Sequence, residues 1–186
     1  MLPHLVLSLI LLAGTGEACQ VLTEPVESGC GYDATMKLTS RPNDLVVQKE
    51  NCSKEFVKTE WQQVPLLQME SAKEDKTYTV ICIDPDAPNH EKGEYYLHWL
   101  VSNVNGNDLR TGDLAKAKTI TSYKGPGPVI NTGLHRYIFL AFEEEKLNQN
   151  VVNDRERRKF PLLQWMQSQT DKLCGPVAGV QFRSEY

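Results

Sequence analysis

Three short segments carry the side chains of this sequence that could do chemistry. The first is Asp84-Pro85-Asp86-Ala87-Pro88, two carboxylates two residues apart, stiffened by prolines that fix φ and restrict their neighbours. The second is Tyr96-Leu97-His98-Trp99-Leu100, where a strand's period of two puts Tyr96, His98 and Leu100 on one face. The third is Gly125-Pro126-Gly127-Pro128, followed by Thr132-Gly133-Leu134-His135-Arg136-Tyr137. Its glycines allow close backbone approach to a ligand, and their N–H groups can form an anion-binding concavity. His135 and Tyr137 then project from one face of the following strand. Two carboxylates and two imidazoles could perform acid–base or metal-assisted hydrolysis. No Ser or Cys accompanies the histidines within these motifs, which favours binding over catalysis. Singly, each segment has a plainer reading: Asp and Pro populate exposed turns, and a lone strand His is commonly a hydrogen-bonded core residue.

The elements that must position these residues are mostly strands. Thr77–Ile83 (TYTVICI) is rich in β-branched residues and ends at Asp84-Pro85, a strand followed by a turn. Leu97–Val104 reads as a second strand, closed by a turn at Asn105-Gly106-Asn107. Arg136–Phe142 is a third, with Glu143-Glu144-Glu145 as its solvated exit. A shorter strand is expected at Asp44–Gln48. One helix is expected from Asp154 to about Leu173, on the spacing of Phe160, Leu163, Met166 and Gln167. Asp154 would be its N-cap and Gly175-Pro176 its stop, although Pro161 also suits a start near Phe160. Arg155, Arg157, Arg158 and Lys159 read as a solvated basic face rather than a phosphate patch. The fold class expected is mostly β, an antiparallel sandwich-like core with few peripheral helices.

The chain has 186 residues and a formal net charge of -4. Leu5–Ala13 is a block broken only by Ser8, too short for the about 20 apolar residues of a spanning helix. With small residues at Gly16 and Ala18 it reads as a secretory signal peptide over residues 1–18, leaving one domain over 19–186 with no transmembrane segment. No broad basic field remains, which argues against nucleic acid and strong electrostatic membrane docking. Secretion permits disulfides among the five cysteines, Cys19, Cys30, Cys52, Cys82 and Cys174. An odd count leaves at least one thiol unpaired within the chain, and Cys82, inside an apolar run, is the candidate. No Cys-x-x-Cys spacing points to a metal, and no cofactor is expected. Asn51-Cys52-Ser53 is a glycosylation sequon.

Together with Pro176-Val177-Ala178-Gly179, the blocks around Asp84, His98, Gly125 and His135 resemble, in order and spacing, the phosphatidylethanolamine-binding family, over roughly residues 40 to 182. The resemblance implies two antiparallel sheets and one pocket for small anions such as a phosphate head group. Asp84, Asp86, Pro88, His98, Gly125, Gly127, Pro128, His135 and Tyr137 would line it. Both imidazoles and two backbone N–H groups would donate to a phosphate, with the carboxylates orienting them or receiving an ammonium. Charge-assisted bonds worth roughly 1.5–3 kcal/mol each would hold such an anion at micromolar to millimolar levels. Donation by imidazolium would make binding weaken as pH rises through roughly 6.5. The chain departs from the family at Glu94, where many members carry Arg, and at Val129, where a second Pro is usual. It also ends soon after Gly179, without the C-terminal helix of animal cytosolic members. The partner expected is a small anion or phospholipid head group, with an extracellular protein, above all a protease to be inhibited, as the alternative.

Overall fold

In the computed structural model, residues 20–32, 36–144, 156–168 and 173–186 are described. The expected signal peptide, Cys19, Asp154, Arg155 and Glu145 lie outside them. Three strands, β1 (Met36–Thr39), β2 (Val46–Val47) and β3 (Leu66–Met69), form a small antiparallel sheet in the order β2-β1-β3. The main sheet runs in the order β6-β5-β4-β7-β9, with β4 (Thr77–Asp84), β5 (Glu94–Asn105), β6 (Lys118–Thr121), β7 (His135–Glu144) and β9 (Leu173–Ser184). All of its pairings are antiparallel. The short β8 (Phe160–Pro161) pairs with the start of β5.

Alternation along β4 assigns the two cores. Val80 and Cys82 face the small sheet, packing with Leu38, Leu67, Trp99 and Phe139. Ile81 and Ile83 face the other way, with Leu97, Leu140, Phe160 and Leu162. The sandwich is thus closed on one side by β1–β3 and on the other by α2 (Leu162–Ser168) and the segment around Val26. Cys30 and Cys52 form a disulfide, Cys174 is also disulfide-bonded, and Cys82 is free and buried. The side-chain amide of Asn51 is engaged within the fold: its Nδ2 donates to Val46 O at 2.8 Å and its Oδ1 accepts from Gln48 N at 2.8 Å.

Four expectations need correction. Asn105-Gly106-Asn107 does not turn the chain back; Asn105 caps the helix α1 (Gly106–Thr111), its side chain accepting from Asn107 N. Gly106 is required because a Cβ there would lie 1.9 Å from Lys73 O. The long helix to Leu173 is replaced by α2, which starts after Pro161, and Gly175-Pro176 lies within β9. The Phe160–Pro161 pairing with β5 holds the chain extended until then. Glu143 and Glu144 continue β7 instead of leaving it, and Glu144 is buried. Arg157, finally, is buried and not part of a solvated face.

Candidate functional site

Asp84 ends the central strand β4, flanked by β5 with His98 and β7 with His135 and Tyr137. Antiparallel pairing therefore gathers the three motifs at one end of the sheet. His98 gets there by a β-bulge: Cys82 pairs with Trp99 and Ile83 with Leu97, so His98 is the extra residue. The bulge shifts the phase of β5: Tyr96 and His98 share the cavity face as expected, their ring centroids 4.8 Å apart, but Leu100 does not join them. Leu97 and Leu100 pack in one core, whereas Trp99 packs in the other. Arg157 spans the irregularity, its Nη1 donating to Leu97 O at 3.3 Å and His98 O at 3.2 Å. The backbone of Lys124 brackets His98 as well, Lys124 N donating to His98 O at 2.9 Å.

The two histidines differ in protonation. His98 Nδ1 lies 2.6 Å from Lys124 O; a carbonyl only accepts, so Nδ1 carries the proton and Nε2 is the free lone pair. Burial pushes the His98 pKa down to about 4, against the raising effect of the Lys124 carbonyl and Asp84. The ring is therefore neutral near pH 7, which corrects the expected donation from His98 as an imidazolium. His135 Nδ1 lies 2.8 Å from Asp84 Oδ2, and its Nε2 2.7 Å from Thr132 Oγ1. The Thr132 hydroxyl also lies 2.6 Å from Val129 O, to which it donates; an imidazolium at His135, donating from both nitrogens, satisfies this whole set of contacts. Burial opposes that charge, but the bond to Asp84 and the charges of Asp84 and Asp86 outweigh it and raise the His135 pKa.

Asp84 is held on both oxygens, Oδ1 accepting Asp86 N–H at 2.7 Å and Oδ2 facing His135. Asp86 does not line the pocket. Its carboxylate accepts from Arg136 Nε at 2.8 Å, Nη2 at 2.6 Å and the backbone N–H at 2.8 Å. Burial would raise the Asp86 pKa, but these bonds bring it below the ordinary value. Pro128 is likewise buried in the loop and away from the lining.

The remaining predicted residues, Asp84, Pro88, His98, Gly125, Gly127, His135 and Tyr137, do line one cavity of about 380 Å³. Its glycines serve different ends. A Cβ at Gly125 would come 2.7 Å from Gln62 Cα, so that position is small for the protein's own packing. A Cβ at Gly127 would meet no protein atom within 4 Å, so there the space is open on the cavity. The Tyr137 hydroxyl is buried without a protein hydrogen-bond partner of ordinary geometry. Burial pushes its pKa up, with only a weak counter-effect from the Gly127 amide, so the phenol keeps its proton and can donate.

Sequence motifs missed three basic residues of the lining: His90, Lys124 and Arg158. His90 Nε2 accepts from Lys159 N at 3.2 Å, which leaves the proton on Nδ1, a buried atom without a protein partner. Lys124 and Arg158 are exposed. Only the basic run around Arg158 left a trace in the sequence, and there Arg157 turns inward while Arg158 faces the cavity. Glu94, the reversed charge near the mouth, is 3.6 Å from Lys159 Nζ. Among the described residues, no three His, Cys, Asp or Glu side chains converge as metal ligands would, and no helix is long and apolar enough to cross a membrane.

A protein-family model described as "Phosphatidylethanolamine-binding protein" matches residues 43–174. A "26 kDa secreted antigen" of Toxocara canis is 30% identical over 176 residues, covering 85% of this chain and 64% of the relative, so the chain spans less than two thirds of that protein. Among solved structures, the phosphatidylethanolamine-binding protein from Plasmodium vivax superimposes with a TM-score of 0.66 at 21% identity, over 84% of this chain and 87% of that one. A carboxypeptidase Y inhibitor, complexed with its cognate proteinase, gives a TM-score of 0.60 at 15% identity, over 83% and 84%. At these identities the structural likenesses show the fold alone.

Proposed function

The chain belongs to the phosphatidylethanolamine-binding protein family, and from that premise we propose that it is a secreted binder of small phosphorylated head groups such as phosphoethanolamine. One observation carries this reading: the buried Tyr137 hydroxyl, without a protein hydrogen-bond partner of ordinary geometry, lines the same cavity as His135 and exposed Lys124 and Arg158. A phosphoryl group there would take hydrogen bonds from Tyr137 Oη and His90 Nδ1, in the field of Lys124 and Arg158. The neutral His98 Nε2 accepts rather than donates, and suits either a phosphate O–H or the ammonium of an ethanolamine. Secretion rests on the apolar block Leu5–Ala13 with its small-residue cleavage site and on the secreted relative.

Calorimetric titration of the mature protein with phosphoethanolamine tests this reading. Saturable micromolar to millimolar binding that His98→Ala/His135→Ala abolishes is the expected result. Equal heats from both proteins would remove the pocket from the account. The alternative, inhibition of an extracellular protease, has the fold of the carboxypeptidase Y inhibitor as its support. It predicts inhibition of a serine-protease panel at micromolar concentration, and silence across the panel counts against it.

A further inference from the structure

The loop that follows Gly127 presents three aliphatic side chains to water: Val129, Ile130 and Leu134 are 49%, 59% and 36% exposed. Among the described residues no other stretch of six carries more than one exposed large apolar side chain. Such side chains are unremarkable singly, but clustered they mark a contact surface. The loop is ordered by hydrogen bonds. Thr132 donates to Val129 O from its backbone N–H at 3.2 Å and from its hydroxyl at 2.6 Å, closing a turn over Val129–Thr132. Asn131 has a left-handed φ of 65°, and Ile130 and Asn131 form the tip. The same Thr132 hydroxyl meets His135 Nε2, and Val129 lines the cavity. The apolar turn is therefore built onto the anion pocket.

We propose that the Val129–Leu134 turn enters the interface of a phospholipid bilayer, so that the pocket takes its phosphorylated head group from a membrane lipid. This deepens the function proposed above and rests on it. Val129 shares the cavity lining with the exposed cations Lys124 and Arg158. Hydrocarbon and phosphate side by side are the chemistry of a phospholipid surface, where apolar side chains insert at the head-group boundary while cations meet phosphodiesters. The net charge of -4 supplies no long-range attraction to anionic lipid, so vesicles without net charge suffice.

The test is sedimentation of the full mature protein with vesicles of phosphatidylethanolamine and phosphatidylcholine, beside calorimetry with soluble phosphoethanolamine. Ile130→Ser/Leu134→Ser alters exposed positions outside the lining. It should weaken vesicle binding by about tenfold or more, while phosphoethanolamine affinity stays within about twofold of the unaltered protein. Vesicle binding unchanged in the variant would overturn the proposal. So would an unaltered protein that binds phosphoethanolamine but no vesicles, which would make the turn a protein contact. If the unaltered protein bound vesicles but not phosphoethanolamine, the proposed pocket function would fail and the head-group half of this proposal with it.

Discussion

Strand β5 carries a bulge near each end, and each serves a buried carboxylate with a different outcome. At one end the extra residue is His98, beside Asp84; at the other, Tyr78 pairs with Val104 and Val80 with Val101, so Ser102 and Asn103 together oppose Thr79. Asn103 sits there at a left-handed φ of 55°, which aims its N–H at Glu144 Oε1 at 2.5 Å, while Thr79 Oγ1 donates to Glu144 Oε2. Burial raises the Glu144 pKa in spite of these two neutral donors. Asp84 has instead a cationic partner in His135 and neighbours whose polar atoms face a cavity. The same local device thus seals one carboxylate inside the sheet and sets the other beside a cavity. What separates them is the partner: neutral donors suit a closed structural site, whereas a histidine adds a charge for an anion to meet.

The widest separation of the two ends should come from neutralising each acid. Asp84→Asn removes one member of a buried ion pair and should cost on the order of 3 kcal/mol in urea unfolding, with the His135 pKa falling below its ordinary value. Glu144→Gln keeps an acceptor for Asn103 N and turns the second bond around, its amide N–H donating to Thr79 Oγ1, and should change stability by no more than about 1 kcal/mol at pH 7. Because the folded Glu144 pKa is raised, its stabilising contribution is lost as pH rises above its unfolded value of about 4.5; the Gln variant escapes that loss. Equal costs at both ends would break the comparison.

Between the histidines the contrast is one of pH. His98 has a folded pKa near 4, below its unfolded value, so the unfolded chain binds more protons between about 4 and 6.5. Stability should therefore fall as pH drops through that window, by roughly 3 kcal/mol at 1.36 kcal/mol per unit. His135 has the opposite sign: its contribution is present below about 6.5 and is lost as pH rises through the raised folded pKa. Unfolding at pH 4.5, 5.5 and 6.5 should lose most of its acid slope in His98→Asn, whose amide can replace the donor to Lys124 O. An unchanged slope would place the acid-sensitive group elsewhere.

Much of this was legible in the sequence and some of it could not be. TYTVICI read as a strand because alternation and β-branching are local signals, and the Asp84, His98 and His135 motifs pointed to one cavity. The bulge at His98 is a mismatch between two strands, and no single segment records it. Glu143-Glu144-Glu145 looked solvated because acids in a run usually are; Glu144 is buried because Thr79 and Asn103, distant in sequence, supply its donors. Asp86 resembled Asp84 until Arg136 claimed it. Lys124, His90 and Arg158 reach the cavity from three separate segments, each without a motif.

Two smaller effects sharpen the comparison. Gly127→Ala adds a methyl in open cavity space; it should leave the unfolding midpoint unchanged and weaken phosphoethanolamine binding by about tenfold. Asn103→Gly relieves a left-handed residue at the closed end, and should shift stability by less than about 1 kcal/mol without touching ligand affinity. A loss of affinity there would join two ends that the structure keeps apart.

The central claim is that the pocket meets an anion with His135 charged and His98 neutral. Affinity against pH alone cannot isolate it, because a phosphate ester has its own ionisation near pH 6. Histidine-ring NMR, titrated from pH 4.5 to 8.5 with and without phosphoethanolamine, reads each imidazole separately. The account predicts a His135 pKa above 6.5 that rises further with ligand, and a His98 that stays neutral and Nδ1-protonated down to about pH 5. A His98 that titrates near 6.5, or a His135 that ignores the ligand, would contradict it.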